Sequence, residues 1–116
     1  MKCETLEVWK KSARLSADVY KAFAQSRDYG FRDQITRSGL SIPSNIAEGM
    51  EKDSNKEKIR FLEIAKGSAA EFATQSYIGM DIGYIDKQVG KDWITRAEHI
   101  LSMITKLQYS IRSVKY

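Results

Sequence analysis

Apolar and small residues recur at alternating steps of three and four along most of this chain, a spacing that restricts it to packed α-helices. The longest uninterrupted run, between residues 54 and 82, consists of Leu62, Ala65, Ala69, Phe72, Ser76 and Gly79, with Gly83 just beyond. This spacing places all members on one face of a helix, and no stretch shows the two-residue alternation of a strand. Because most members are small, we expect a neighbouring helix to pack closely against this face.

Three further segments show helical spacing. In residues 5–25 the predicted buried face comprises Leu6, Trp9, Ala13, Ser16, Tyr20 and Phe23, widened by Val8, Leu15, Val19 and Ala22. In residues 31–48 it comprises Phe31, Ile35, Ile42 and Ile46, and in residues 92–114 it comprises Ile94, Ala97, Leu101, Ile104, Leu107, Ile111 and Val114. Turn residues separate the segments at 28–30, 49–55 and 83–90. Four amphipathic helices with short links predict an all-α, antiparallel, up-and-down four-helix bundle, and 116 residues suit a single domain over 1–116.

Proline occurs once, at Pro43, inside the second helical segment. It removes one backbone hydrogen bond, and its ring presses on the carbonyl group four residues earlier, which belongs to Gly39. Glycine has no side chain to resist the adjustment, so we predict a continuous second helix kinked at Pro43. The alternative is a break, with Ser41 capping a new helix.

A polar stripe also follows the helical period in the second segment; its members are Gln34, Ser38, Ser41, Asn45 and Glu48. Serine and asparagine have modest helix propensity and suit positions where two helices meet through hydrogen bonds. The stripe is therefore a candidate subunit interface, with a solvated face as the alternative. Arg37 and Arg60 are candidate charge partners for Glu48.

Composition argues against most catalytic chemistry. One cysteine, Cys3, excludes an intrachain disulfide, and one histidine, His99, excludes multi-histidine metal sites. Glu98 precedes His99 directly, which is not the Glu-x-x-His spacing of metal-binding bundles, and no phosphate-binding glycine motif occurs. We expect no catalytic residues, metal or cofactor and no small-molecule substrate. With no apolar run of membrane-spanning length and no apolar leader at the N-terminus, we expect a cytoplasmic protein without a membrane partner.

The charge balance is mildly basic, with 19 Lys and Arg against 15 Asp and Glu and a net charge of +4. Such an excess favours encounter with a polyanion, although a solvated helix face is the alternative interpretation. Tyr109, Arg112 and Tyr116 share a stripe in which rings adjoin a cation, as on RNA-binding surfaces. The candidate nucleic-acid contacts are Lys10, Arg14, Lys21, Arg37 and Arg112.

Several strings resemble one known family. They are Asp33-Gln34-Ile35-Thr36-Arg37, then Ser41-Ile42-Pro43-Ser44-Asn45-Ile46-Ala47-Glu48-Gly49, and a later block around Phe61–Ser68 with Glu71, Gln75 and Gly83-Tyr84-Ile85. They resemble the four-helix-bundle proteins encoded in intervening sequences of bacterial 23S rRNA genes, sometimes labelled ribosomal. Members commonly carry a Gly-Arg pair after this glycine, whereas this chain has Met50-Glu51-Lys52-Asp53, so the role of that arginine is not carried over to this chain.

The resemblance implies a left-handed antiparallel bundle that assembles as a ring-like homopentamer without enzymatic activity. It also implies kinship with the accessory protein of diversity-generating retroelements, a basic pentameric barrel that binds nucleic acid and a reverse transcriptase. The motif positions it marks as architectural or interfacial are Ser41, Pro43, Asn45, Glu48, Gly49, Gly67, Ser68 and Glu71.

Three functional hypotheses follow. The first is a non-enzymatic oligomeric bundle that binds structured RNA, or a ribonucleoprotein or other nucleic-acid-binding partner, through basic faces. The second is a protein–protein interaction scaffold with no nucleic-acid role. The third, a small hydrolase or nuclease, requires ligand clusters that the sequence lacks.

Overall fold

The computed structural model describes residues 1–113 and contains four long α-helices. A 3-10 helix, Lys2–Thr5, precedes α1 (Glu7–Ala22), α2 (Tyr29–Met50), α3 (Asn55–Asp81) and α4 (Lys87–Ser113). The prediction of an all-α four-helix bundle is confirmed. Val114, the last predicted core position of the fourth segment, and Tyr116 of the tyrosine–arginine stripe lie outside the described residues.

The helices form a closed ring of contacts. Helix α1 packs against α2 and α4, and α3 packs against the same two helices, so α1 and α3 occupy diagonal corners. Links of four to six residues join consecutive helices, which places chain neighbours antiparallel. The result is an elongated body of 51 × 20 × 20 Å.

The predicted face of α3 is confirmed without exception, since its six helical members are all buried. The predicted face of α1 is partly wrong. Helix α1 buries Val8, Ser12, Leu15, Ser16 and Val19, while Tyr20 and Ala22 are exposed and Trp9 is half-buried. The residues that we expected only to widen the stripe form its centre, because α1 lies between α2 and α4 and its inward face is turned between them.

Helix α2 continues through Pro43, which confirms the continuous helix and excludes a break at Ser41. Its first turn is capped by Asp28, whose Oδ1 accepts a hydrogen bond from the Phe31 backbone N–H at 3.0 Å. Both Pro43 and Gly39 are buried.

Helix α4 begins at Lys87, five residues before the predicted start, and the predicted turn at 83–90 ends at Asp86. The Asp86 carboxylate caps the helix by accepting hydrogen bonds from the backbone N–H groups of Gln88 and Val89 at 3.0 and 3.4 Å. Gly90 is therefore helical and buried. A Cβ at Gly90 would overlap the Met80 side chain, so this glycine serves close helix packing and not a turn.

Candidate nucleic-acid interface

The exposed edges of α1 and α4 enclose a basic groove of about 420 Å³. Helix α1 contributes Lys10, Lys11 and Arg14, which lie on consecutive turns of its outer side. Helix α4 contributes Thr95, Arg96, His99 and Ile100. We call these seven residues the α1–α4 groove. None of them is a carboxylate, and Ile100, only 1% exposed, forms an apolar floor.

Carboxylates beside the groove orient two of its guanidinium groups. Asp18 Oδ2 lies 3.0 Å from the Arg96 guanidinium, and Asp18 Oδ1 lies 3.7 Å from Arg14 Nε. Asp92 makes a second contact with Arg96 at 3.4 Å, so Arg96 is held from two sides and is half-buried. Because exposed ion pairs contribute little free energy, Arg14 can still turn toward a bound anion.

The two lysines and the histidine of the groove are less restrained. Lys10 Nζ lies 3.5 Å from Glu7, and both side chains are largely exposed. Within residues 1–113, Lys11 and His99 have no ion-pair partner within 4.0 Å. The groove thus combines fixed and mobile cations above an apolar floor.

The other predicted nucleic-acid contacts do not line this groove. Lys21 lines an adjoining depression between α1 and α4, which shares Arg96 with the groove and also contains Asp18 and Asp92. Arg37 belongs to α2 and lines a groove between α1 and α2, together with Tyr20 and Arg32. Arg112 is exposed near the end of α4, where its charge helps to lower the pKa of Glu63. The structure therefore places Lys10 and Arg14 in the groove and Lys21 in the depression next to it, whereas Arg37 and Arg112 lie on other surfaces.

Sequence reasoning missed Lys11, Thr95, Arg96 and Ile100 and considered His99 only in excluding a metal site. Lys11 adjoins Lys10 in the sequence, so it could have been included. The α4 residues carried no comparable signal, because 80 or more positions separate them from the α1 cations and only the pairing of the two helices brings them together.

The polar stripe of α2 meets α3 of the same chain. Ser38 Oγ donates to Gln75 Oε1 at 2.6 Å, and the hydroxyl groups of Ser41 and Ser68 lie 2.8 Å apart. Asn45 Nδ2 donates to the carbonyl and hydroxyl oxygens of Ser41 at 2.8 and 2.9 Å. The predicted partner was a second subunit, whereas Ser38 and Ser41 bond to α3 of the same chain and Asn45 bonds within α2.

Other motif positions differ in what surrounds them. A Cβ at Gly49 would lie 2.8 Å from Phe61 Cβ, so α2 and α3 approach closely there. A Cβ at Gly67 would meet nothing within 4 Å in the described residues, and Glu71 is also exposed. Glu48 is exposed and pairs with neither Arg37 nor Arg60 among residues 1–113; Arg60 pairs with Glu57 at 3.2 Å instead.

Pro43 lines a second groove, of about 420 Å³, between α1 and α2. Its lining is largely apolar and comprises Met1, Trp9, Ala13, Ser16, Ala17, Tyr20, Leu40, Pro43, Ser44 and Ala47. We call this surface the α1–α2 groove. It explains why half of the predicted α1 face is not in the core: Trp9, Ala13 and Tyr20 point into an open groove between two helices.

The carboxylate of Glu63 belongs to a hydrogen-bonded cluster between α3 and α4. Gln108, 2% exposed, donates from Nε2 to Glu63 Oε1 at 2.9 Å and to the Ile59 carbonyl at 3.2 Å. Lys66 Nζ donates to Gln108 Oε1 at 3.2 Å and lies 3.6 Å from Glu63. The hydrogen bond from Gln108, followed by the charge of Lys66, lowers the pKa of Glu63. This cluster joins α3 to α4.

Residues 1–113 contain no metal-ligand cluster, because no three His, Cys, Asp or Glu side chains converge within that range. No helix in the same range has the length and apolar content needed to cross a bilayer.

Comparison with known proteins gives one family and one fold. The family model described as "23S rRNA-intervening sequence protein" matches residues 4–106. A crystal structure of a protein with unknown function from the S23 ribosomal protein family of Bacteroides thetaiotaomicron superposes with a TM-score of 0.81. The two chains are 24% identical over 87% of this chain and 97% of the other, a similarity that concerns the fold. A comparison with curated proteins finds no match.

Proposed function

This chain belongs to the family of 23S rRNA-intervening sequence proteins, and we propose that it is a non-enzymatic, cytoplasmic protein that binds structured RNA through the α1–α4 groove. One observation carries the proposal: the groove gathers Lys10, Lys11, Arg14, Arg96 and His99, and no carboxylate lines it. A polyanion is the ligand class that such a lining favours.

The binding mechanism is neutralisation of phosphates by cations from two helices. Lys10, Lys11 and Arg14 lie within about 6 Å along the α1 axis, given a rise of about 1.5 Å per residue, so they can contact neighbouring phosphates of one strand. Arg96 and His99 face them from α4. Contacts of this kind position an RNA backbone without reading its sequence, and they release counterions, so the affinity falls steeply with salt.

The test is fluorescence anisotropy with a labelled rRNA stem-loop at several salt concentrations, comparing the wild type with the double variant Lys10→Glu/Arg14→Glu. We expect saturable wild-type binding and a loss of about tenfold or more in affinity, corresponding to about 1.4 kcal/mol. The slope of log affinity against log salt should also become shallower, by about one for each phosphate contact removed.

The chain offers a matched control, Lys56→Glu/Arg60→Glu. These two residues have the same identities and the same spacing as Lys10 and Arg14, and each pair contains one member, Arg60 or Lys10, that pairs with a glutamate three residues earlier. They lie on α3, diagonal to α1. Equal losses in the two double variants would reduce the effect to net charge and contradict a specific groove. Absence of wild-type binding even at low salt would reject RNA binding and favour the protein-interaction scaffold.

We further propose that the protein is a homo-oligomer, as the family resemblance suggests with its pentameric ring. The α1–α2 groove supports this, because Trp9, Tyr20 and Leu40 leave apolar surface open to solvent. A second apolar surface lies on the outer side of α3, where Ile64, Tyr77 and Ile78 are between 41% and 59% exposed. Contact between two different surfaces of one protomer is heterologous and closes into a ring when the rotation allows it.

A further inference from the structure

The α1–α4 groove has features that phosphate contacts alone do not require. A flat patch of lysines is sufficient to bind a duplex backbone, whereas this site is recessed and most of its exposed lining is apolar, with Ile100 buried beneath it. Its volume of about 420 Å³ lies within the roughly 300–1,000 Å³ of small-ligand sites. A hydrated phosphate gains nothing from an apolar floor, but the flat face of a nucleobase does.

We propose that this groove receives a single unpaired nucleotide, so that the protein prefers RNA with a bulged or looped-out base over a continuous duplex. The inference rests on the proposed function, because it specifies which part of an RNA enters the groove. In a duplex each base is stacked and paired and cannot enter a recess between two helices. An unpaired base can be splayed out and placed on a side-chain plane.

The α4 side of the groove supplies such a plane. Asp18 and Asp92 hold the Arg96 guanidinium at 3.0 and 3.4 Å, which fixes its orientation before any ligand binds. A planar guanidinium stacks on aromatic faces, which an ammonium group cannot do. The His99 imidazole lines the same recess, and Thr95 adds a hydroxyl group within it.

The α1 side of the groove supplies mobile charge. The Lys10 and Arg14 side chains are 51% and 61% exposed, and Lys11 is also exposed. These long side chains can follow the phosphates on either side of the inserted nucleotide. In this arrangement α4 holds the inserted base, and α1 neutralises the phosphate charges of the RNA backbone.

The experiment compares two labelled RNA stems that differ by one bulged uridine, titrated by anisotropy in the same buffer. We expect the bulged stem to bind about fivefold tighter or more, the lower end of what one base stack contributes. Arg96→Lys keeps the charge and removes the plane, and His99→Ala removes the imidazole. Both variants should lose more affinity for the bulged stem than for the paired stem, whereas Ser102→Ala, an exposed α4 residue outside the groove lining, should behave as wild type.

The outcomes separate this inference from the proposed function. Equal affinity of the wild type for both stems, with salt-dependent binding retained, would overturn nucleotide insertion and leave RNA binding in place. No binding to either stem would overturn both. If Arg96→Lys unfolds because its ion pairs are disturbed, His99→Ala decides the question, since that side chain forms no ion pair within residues 1–113.

Discussion

Asp28 uses both carboxylate oxygens to fasten one end of the bundle. Oδ1 accepts from the Phe31 backbone N–H at 3.0 Å and caps α2, while Oδ2 accepts from the Tyr84 hydroxyl at 2.7 Å. The Tyr84 ring meets Phe31 edge-on at 5.5 Å. The Asp28 side chain therefore connects the α1–α2 link to the α3–α4 link, and its charged carboxylate accepts both hydrogen bonds.

The two ionisable partners have opposite pKa shifts. The Phe31 N–H bond, followed by the Tyr84 bond, lowers the pKa of Asp28, while the bond to Asp28 raises the pKa of Tyr84. A lowered carboxyl pKa means that the folded state binds fewer protons than the unfolded state. The contribution of Asp28 is thus complete above the ordinary aspartate value of about 3.9 and is lost as pH falls through the lowered pKa.

We predict that the Asp28→Asn variant loses less of its free energy of unfolding than the wild type does as pH falls from 6 to 2.5. Asparagine caps helices as well as aspartate does, so the variant removes mainly the charge. Urea unfolding between pH 2.5 and 6 should show the wild type more stable at pH 6, with the two curves converging as pH falls. Tyr84→Phe keeps the ring against Phe31 and should show a smaller acid-dependent loss than wild type. Parallel wild-type and Asp28→Asn curves across this range would contradict the assignment.

At the level of elements, the spacing of small residues controls how closely α2 and α3 approach. The Phe61 side chain packs directly over Gly49, because glycine has no Cβ. A Cβ at Gly49 would also lie 3.3 Å from the Lys58 carbonyl oxygen. Gly67, on the outer side of α3, is open within the described residues. The two motif glycines thus occupy opposite environments on one pair of helices.

These environments predict effects of opposite sign for the same substitution. Gly49→Ala must displace backbone or a Cβ atom, neither of which yields easily, and should destabilise the fold by about 1–3 kcal/mol. Gly67→Ala should stabilise α3 by about 1 kcal/mol, because alanine is the better helix former at an open position. Thermal unfolding at equal protein concentration checks both, with a rise in Tm of about 4 °C expected for Gly67→Ala. A fall in Tm for Gly67→Ala would contradict this and indicate that another surface packs on this glycine.

The sequence was sufficient to predict the helices but not to predict the α1–α4 groove. Periodic burial predicted α3 to within one residue at each end, because one buried face of small and apolar residues runs along most of the helix. It failed at α4, since Gly90 is typical of turns in the sequence and lies in the structure against Met80. We predicted a subunit interface for the stripe that contains Ser38 and Ser41, but their hydrogen bonds join α2 to α3 of the same chain, a pairing that is decided by packing. The α1–α4 groove depends on the closure of the bundle, which no local pattern encodes.

For the molecule as a whole, the bundle presents different chemistry on its two α1 edges. The basic α1–α4 groove lies on one edge, and the largely apolar α1–α2 groove lies on the other. Helix α1 thus separates the surface proposed for RNA from the surface proposed for assembly. Because the two surfaces share a helix but not their lining residues, substitutions can address them independently.

We predict that Leu40→Glu breaks the assembly and leaves the fold intact. Leu40 is 46% exposed in the α1–α2 groove, so a charge there is tolerated in a single chain but is unfavourable once a second copy covers it. Light scattering should show the wild type at a multiple of 13.3 kDa and the variant near 13.3 kDa, with unchanged helical circular dichroism. Val89→Glu, at a residue 40% exposed on α4, is the control and should keep the wild-type mass.

The same variants test whether assembly and RNA binding cooperate. An oligomer presents several α1–α4 grooves to one RNA, so later contacts form at a high effective concentration. Leu40→Glu should therefore weaken binding to a long structured RNA far more than to a short stem that only one groove can contact. Lys10→Glu/Arg14→Glu should weaken both and retain the wild-type mass. A wild type that itself scatters as one chain would contradict the assembly, and equal losses on both RNAs would show that each groove acts alone.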